Sequence, residues 1–357
     1  MTDTLTRPDA RDAMPLSGPR LPQSAPWIVA AVAVVVGVGL GLLLGRGVVV
    51  MAILAGLTFV VGITVWAASL EGRRGAVDRL VTSLVWTAFA IALVPLLSLV
   101  WTVVSRGFPA LSVDFFTFSM RGVIGDAQGG IYHALIGTLL VTLGAAVISI
   151  PIGVMTAIYL VEYGVKSRLA RAITFLVDVM TGIPSIVAGL FAYALFVLFF
   201  GEGIRLGLGG SVALSLLMIP VVVRATEEML KLVPGELREA AYALGVPKWR
   251  TITKVVLPTA MSGIVTGVML AIARVIGETA PLLIIAGRTD SVNFNLFEDR
   301  MTTLPVFIYY SYTQPGVPPG PGVERAWGAA LVLIAIVMGL NLLARVIGRA
   351  FAPKTGR

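Results

Sequence analysis

The 357-residue chain is 57% hydrophobic and only 13% charged, against about 45–50% and about 25% in an ordinary soluble domain, so a water-soluble globule cannot hide its apolar surface. Zero Cys and a single His, His133, exclude a disulfide framework, a thiolate metal site and any two-histidine zinc motif on this chain. The net charge of +8 points away from nucleic acid once the basic residues are placed against the apolar segments.

The first 26 residues carry Pro, Asp, Arg and Ser without an apolar period, which predicts a disordered tail. Eight apolar stretches follow, near 27–45, 48–70, 80–104, 131–161, 170–200, 207–226, 257–286 and 326–348, most of them long enough to cross the roughly 30 Å hydrocarbon layer as helices. The first is no cleavable signal, because it is long, lacks a small-residue cleavage site and runs at once into a second span. With the amino terminus inside, the inner segments hold nineteen Lys and Arg and the outer ones seven. That asymmetry fits eight spans with both termini cytoplasmic, and an odd number would break it.

Gly37, Gly41 and Gly45 share one face of the first span, where another helix could approach closely. Pro95, Pro151, Pro184, Pro220, Pro258 and Pro281 sit in or at the ends of spans, and each removes a backbone donor and invites a kink. His133 falls at the outer edge of the fourth span, with no carboxylate pattern around it, and reads as an interfacial side chain. Asp178, in the fifth span one turn before Gly182, is expected to be a buried structural group, as a cap or a helix partner.

Between the sixth and seventh spans runs Glu236-Leu-Arg-Glu-Ala-Ala-Tyr-Ala-Leu-Gly245, then Val-Pro-Lys-Trp-Arg-Thr-Ile-Thr-Lys-Val255 and Val-Leu-Pro258. Glu, Ala and Leu favour a short helix, Gly245 permits a reversal and Pro247 suits the start of the next helix, so the segment reads helix, turn, helix. Trp249, Ile252 and Val256 form an apolar stripe among Lys248, Arg250 and Lys254, suited to a protein groove or to the lipid interface.

In the seventh span Arg274 lies near the membrane centre, at a cost of about 2.5–3.5 kcal/mol. Glu278, four residues on, would leave the same helix face and could pair with it. The two could serve a substrate path or a structural salt bridge. Tyr309, Tyr310 and Tyr312 read as an outer interfacial belt.

Glu239-Ala240-Ala241, with Gly245 and then Leu257-Pro258, resembles the EAA loop of ABC importer permeases. Further segments resemble the phosphate-specific permeases of the PstA type: Gly129-Gly130-Ile131, Ile136-Gly137-Thr138-Leu139, Ile158 to Tyr163, Thr181 to Gly189, Ala273-Arg274, Gly277 to Pro281, Thr303 to Val306 and Asn341 to Arg345. The likeness covers residues 80–349 and implies an all-α, six-helix type I permease core with a coupling loop at 231–256. Two additional membrane helices at 27–79 precede it, and a short tail at 350–357 follows.

The resemblance implies that Glu239 and Ala240 contact a cytoplasmic ATPase, that Gly245 supplies the turn, and that Leu257 and Pro258 complete the motif. It also implies a second permease of the PstC type, an ATPase of the PstB type carrying ATP and Mg, and an external phosphate-binding protein of the PstS type. No cofactor is expected on this chain, which has no Gly-Lys dipeptide for a P-loop. In that setting Arg274 would lie on the path of the phosphate anion, whose oxygens suit a guanidinium fork, and Glu278 would hold or release it. The competing readings are a sulfate or molybdate importer, which would keep the docking loop, and a secondary transporter, which would need its own coupling-ion site within internal repeats.

Overall fold

The computed structural model describes residues 21–164 and 167–350, the last two without their side chains, and every regular element among them is helical. The tail at 351–357, residues 1–20 of the amino-terminal one, and Lys166 fall outside them. The chain forms two compact units, Met1–Val100 and Trp101–Arg357.

In the first unit, α1 (Ala25–Leu43) and α2 (Val48–Leu70) pack antiparallel. Gly37 and Gly41 make this possible, because Cβ atoms there would lie 2.5 Å from Ala55 N and 2.2 Å from Met51 Cγ. The glycine stripe therefore serves a contact within this chain. Gly45, at φ +59, closes the helix with Gly45 N–H donating to Leu42 O and Arg46 N–H to Gly41 O, a paired reversal that needs the left-handed conformation. Residues ahead of α1 are ordered too: Leu21 is buried and its N–H donates to Glu71 Oε1 at 2.7 Å. Then α3 (Gly72–Gly107) runs on through Pro95 without a break.

The second unit continues with α4 (Val113–Thr117) and α5 (Tyr132–Ile158), the latter prolonged by a π turn at Tyr159–Tyr163. After it come α6 (Arg168–Thr181), α7 (Ser185–Phe200) and α8 (Gly207–Lys231). On α5 the residues Gly137, Val141, Ala145, Ser149 and Gly153 recur every four positions, and all are buried. Their stripe fits against α8: Ser211 Oγ donates to Val141 O at 3.0 Å, Ser149 Oγ to Ser215 O at 3.4 Å, and a Cβ on Gly153 would meet Val222 Cγ1 at 2.6 Å. Lipid offers no hydrophobic drive between helices, so close approach over small residues and buried hydroxyl bonds holds this pair.

These contacts ascend together along both helices, so α5 and α8 are parallel, and the chain between them must recross the membrane. Where the sequence predicts one span at 170–200, α6 and α7 are two helices bent by 110°. Gly182 caps α6, and Pro184, lacking an N–H, starts α7. Because α6 begins beside the end of α5 and α7 ends where Phe196 meets Leu206 and Ala213, the bent pair makes one crossing. Seven other helices among the described residues are long and apolar enough to span, which makes eight crossings.

The chain then forms α9 (Gly235–Ala243), α10 (Lys248–Thr251), a π turn at Ile252–Val256 and α11 (Leu257–Val275). Next come α12 (Ala280–Ile285), α13 (Leu304–Thr313) and α14 (Pro319–Ala350). The seventh span differs from its prediction of 257–286. Its helix begins at Lys248 and ends at Val275, level with the middle of α8, since Gly277 and Pro281 interrupt it. Against α8 it runs antiparallel, Gly263 over Met229 and Gly267 over Ala225. The descent of α14 starts with Gly328 against Phe115 and ends with Gly348 against Thr266. The hairpin of α9 and α10 thus lies at the end of the bundle where α5 and α8 finish.

Candidate functional site

The hairpin is built by its turn. Gly245 N–H donates to Tyr242 O at 2.9 Å and Val246 N–H to Ala241 O at 3.1 Å, with Gly245 at φ +75. That pair of bonds satisfies the last carbonyls of α9 and requires the left-handed conformation glycine adopts freely. Ala241, Ile252 and Val256 turn inward and are buried. The predicted stripe of Trp249, Ile252 and Val256 is therefore split, and two of its three members belong to the core of this chain. What the hairpin presents outward is Glu239, Ala240, Tyr242, Leu244 and Trp249, with Leu244 83% and Trp249 58% exposed. Leu257 is half-buried, and Pro258 follows directly on the π turn within the helix that runs from Lys248 to Val275, where it withholds one backbone donor.

The root of the hairpin carries an ion pair that sequence reasoning missed. Arg238 of α9 donates from Nε and Nη2 to Glu162 Oε1 at 3.1 and 2.8 Å, and from Nη1 to Val233 O at 2.7 Å. Lys248 Nζ donates to the Glu162 carbonyl and stands 4.6 Å from the centre of the Tyr163 ring. The sequence signal for Glu162 is a lone carboxylate in the apolar stretch Ile158 to Tyr163, with a loop rich in Arg and Lys to pair it.

A second network ties α6 to α8. Arg224 donates to Asp178 Oδ1 and, at 2.8 Å, to Glu227 Oε2, while Lys231 Nζ reaches Glu227 Oε1 at 2.7 Å. Asp178 is a helix partner, but it is not buried: its side chain is 59% exposed. It points away from the core because the neighbouring Val177 takes the inward position on α6.

Arg274 is exposed, and its helix neighbours Ala271 and Val275 pack inward beside Leu214 and Met218, in the middle of α8. Glu278 stands beyond the end of α11, its N–H donating to Val275 O at 3.1 Å. The shared helix face expected for the two side chains therefore does not exist, and no ion pair joins them among the described residues. His133 is buried rather than interfacial, edge-on to Phe307 with ring centres 5.5 Å apart. Tyr309 and Tyr312 are exposed, and Tyr310 lies 5.1 Å below the Arg288 guanidinium.

The family of binding-protein-dependent transport system inner membrane components matches residues 149–357. The phosphate transport system permease protein PstA 1 of Mycobacterium tuberculosis (strain ATCC 25618 / H37Rv) is 50% identical over 277 residues, which are 77% of this chain and 88% of that one. The chain belongs to the PstA family of phosphate transport system permeases. The PstA protein of Mycobacterium leprae (strain TN) is also 50% identical, over 76% of this chain and 88% of its own, and that of Yersinia pestis is 41% identical over 80% and 93%. Among solved structures, a chain of the MetNI methionine ABC transporter in an inward-facing form superposes with a TM-score of 0.51 at 21% identity. It covers 68% of this chain and all of that one, and shows the shared fold.

As a PstA-family permease the chain is a multi-pass inner-membrane transport component, and several segments that carried the resemblance meet in space. Gly137 approaches the loop before α13 so closely that a Cβ would fall 2.1 Å from Thr302 O, and the Thr138 hydroxyl accepts from Leu304 N–H at 2.7 Å. In the same way Gly189 of α7 abuts Pro281 of α12. Both contacts fix the break between α11 and α13, which places Arg274.

Proposed function

We propose that the chain is one permease subunit of an ATP-driven importer of inorganic phosphate, half of a heterodimeric pore that works by alternating access. Phosphate is delivered by an external binding protein of the PstS type, a PstC-type permease completes the pore, and a PstB-type ATPase dimer binds ATP and Mg. Both termini and the hairpin face the cytoplasm, in keeping with the excess of Lys and Arg on that side. This chain supplies no nucleotide site. ATP-driven closure of the ATPase pair displaces the hairpin around Glu239 to Gly245 and turns the pore inward.

The observation that carries this reading is the hairpin itself, a hydrogen-bonded turn held at the basic end of the bundle with Leu244 and Trp249 bare to solvent. An apolar tip on a basic segment beside the membrane suits a groove in a soluble partner. Arg274 adds the substrate side: a guanidinium at mid-height on an apolar surface, without an ion-pair partner among the described residues, needs a counter-charge from outside the chain. A phosphate anion in a pore shared with the second permease meets that need.

Uptake of radiolabelled phosphate into vesicles holding the whole complex tests the reading. Accumulation should require ATP inside and the ATPase subunit, and should not be matched by sulfate or molybdate. Uptake that persists without the ATPase subunit would refute it.

A further inference from the structure

We infer that Glu162 is the positioning residue through which the hairpin moves α5, an inference that rests on the ATP-coupled reading above. The hairpin is joined by the chain to α8 and to α11 but not to α5, whose π-turn extension ends at Tyr163, well before α9 begins at Gly235. Among the described residues its polar hold on the extension of α5 centres on Glu162, with the Tyr163 ring beneath Lys248 beside it. Arg238 of α9 grips the Glu162 carboxylate with two donors, and Lys248 of α10 grips the Glu162 backbone carbonyl. Both limbs of the hairpin thus pull on the same point.

Three features suit this point to bearing load. The Glu162 and Arg238 side chains are only 5% and 18% exposed, so water competes poorly for their charge-assisted bonds. The same guanidinium also donates to Leu230 O at 2.9 Å and to Val233 O at 2.7 Å, the last carbonyls of α8 and the turn after it. It therefore fixes the root of the hairpin while it holds α5. Finally, Glu162 sits in a π turn, and a second π turn at Ile252–Val256 joins α10 to α11. Such turns interrupt the regular bonding ladder and are common where helices must yield. A push on the hairpin is absorbed at both turns and reaches α5 through the Glu162 carboxylate. From there it passes along the stripe from Gly153 to Gly137 that packs on α8 and the loop before α13.

The test uses the complete transporter in proteoliposomes, with Glu162→Gln and Arg238→Lys, and reads phosphate imported per ATP hydrolysed on complexes first purified as intact assemblies. Each variant should hydrolyse ATP at close to the wild-type rate while the ratio falls about tenfold, since a charge-assisted grip is replaced by a weaker one. Assembled variants with an unchanged ratio, or with hydrolysis and uptake reduced in equal proportion, would overturn the proposal. Its failure is distinct from failure of the functional reading, in which the wild-type complex itself would show no ATP-dependent uptake.

Discussion

Gly189 and Pro281 touch backbone to backbone: a Cβ on Gly189 would lie 2.6 Å from Pro281 Cα and 3.1 Å from its carbonyl oxygen. The contact locks α7, the second half of the bent crossing, against the short helix that follows Glu278. A side chain there has no flexible neighbour to displace. Gly189→Val should therefore destabilise the subunit by about 1–3 kcal/mol and lower its Tm in detergent. Gly39→Ala, in α1 with nothing within 4 Å of the added carbon, should leave the Tm unchanged or raise it slightly.

Gly245 demands its conformation for a different reason. Nothing lies within 4 Å of a Cβ there, but its φ is +75, a region that costs an ordinary L-residue about 1–2 kcal/mol. Gly245→Val should distort the turn while leaving the membrane helices intact. Copurification should then show a loss of bound ATPase with normal membrane levels of the permease, and Gly245→Asn, which tolerates the left-handed region, should retain more of it.

The separation of Arg274 from Glu278 gives a prediction of its own. Had they formed a salt bridge, losing either would be equivalent, and losing both would add little. Because α11 ends between them, Arg274→Gln and Glu278→Gln should act independently, and the double variant should show close to the sum of the two effects on the free-energy scale. Arg274→Gln alone should cut phosphate uptake at least tenfold with normal assembly; uptake equal to wild type would remove Arg274 from the path.

At the basic end, the exposed Asp178 contributes little and the buried Glu227 more. Asp178→Asn should change stability by less than about 1 kcal/mol, as for other solvent-exposed pairs. Glu227→Ala, at a side chain only 11% exposed between Arg224 and Lys231, should cost more. Thermal unfolding of the two variants side by side checks the order.

Much of this was legible in the sequence, where the signal was local. Apolar runs gave the crossings, and Gly245 between Ala-rich and basic segments gave the hairpin with its turn at the right residue. What escaped depended on contacts between distant segments. Periodicity could not show that the single crossing expected at 170–200 is two helices bent by 110°. Nor could it show that Ile252 and Val256 spend their apolar surface inside the chain, or that Arg238 finds Glu162 76 positions away. For Arg274 and Glu278 the four-residue spacing implies a shared face only where the helix continues, and it has already ended before Gly277.

The absence of native cysteine allows one direct measurement on the hairpin. Leu244→Cys, in the assembled transporter, is labelled with a membrane-impermeant maleimide from either side of sealed vesicles. Reaction should occur only from the cytoplasmic side and should be suppressed when the ATPase subunit is bound. Labelling from the external side, or labelling indifferent to the ATPase, would contradict the claim that this hairpin receives the work of a separate motor.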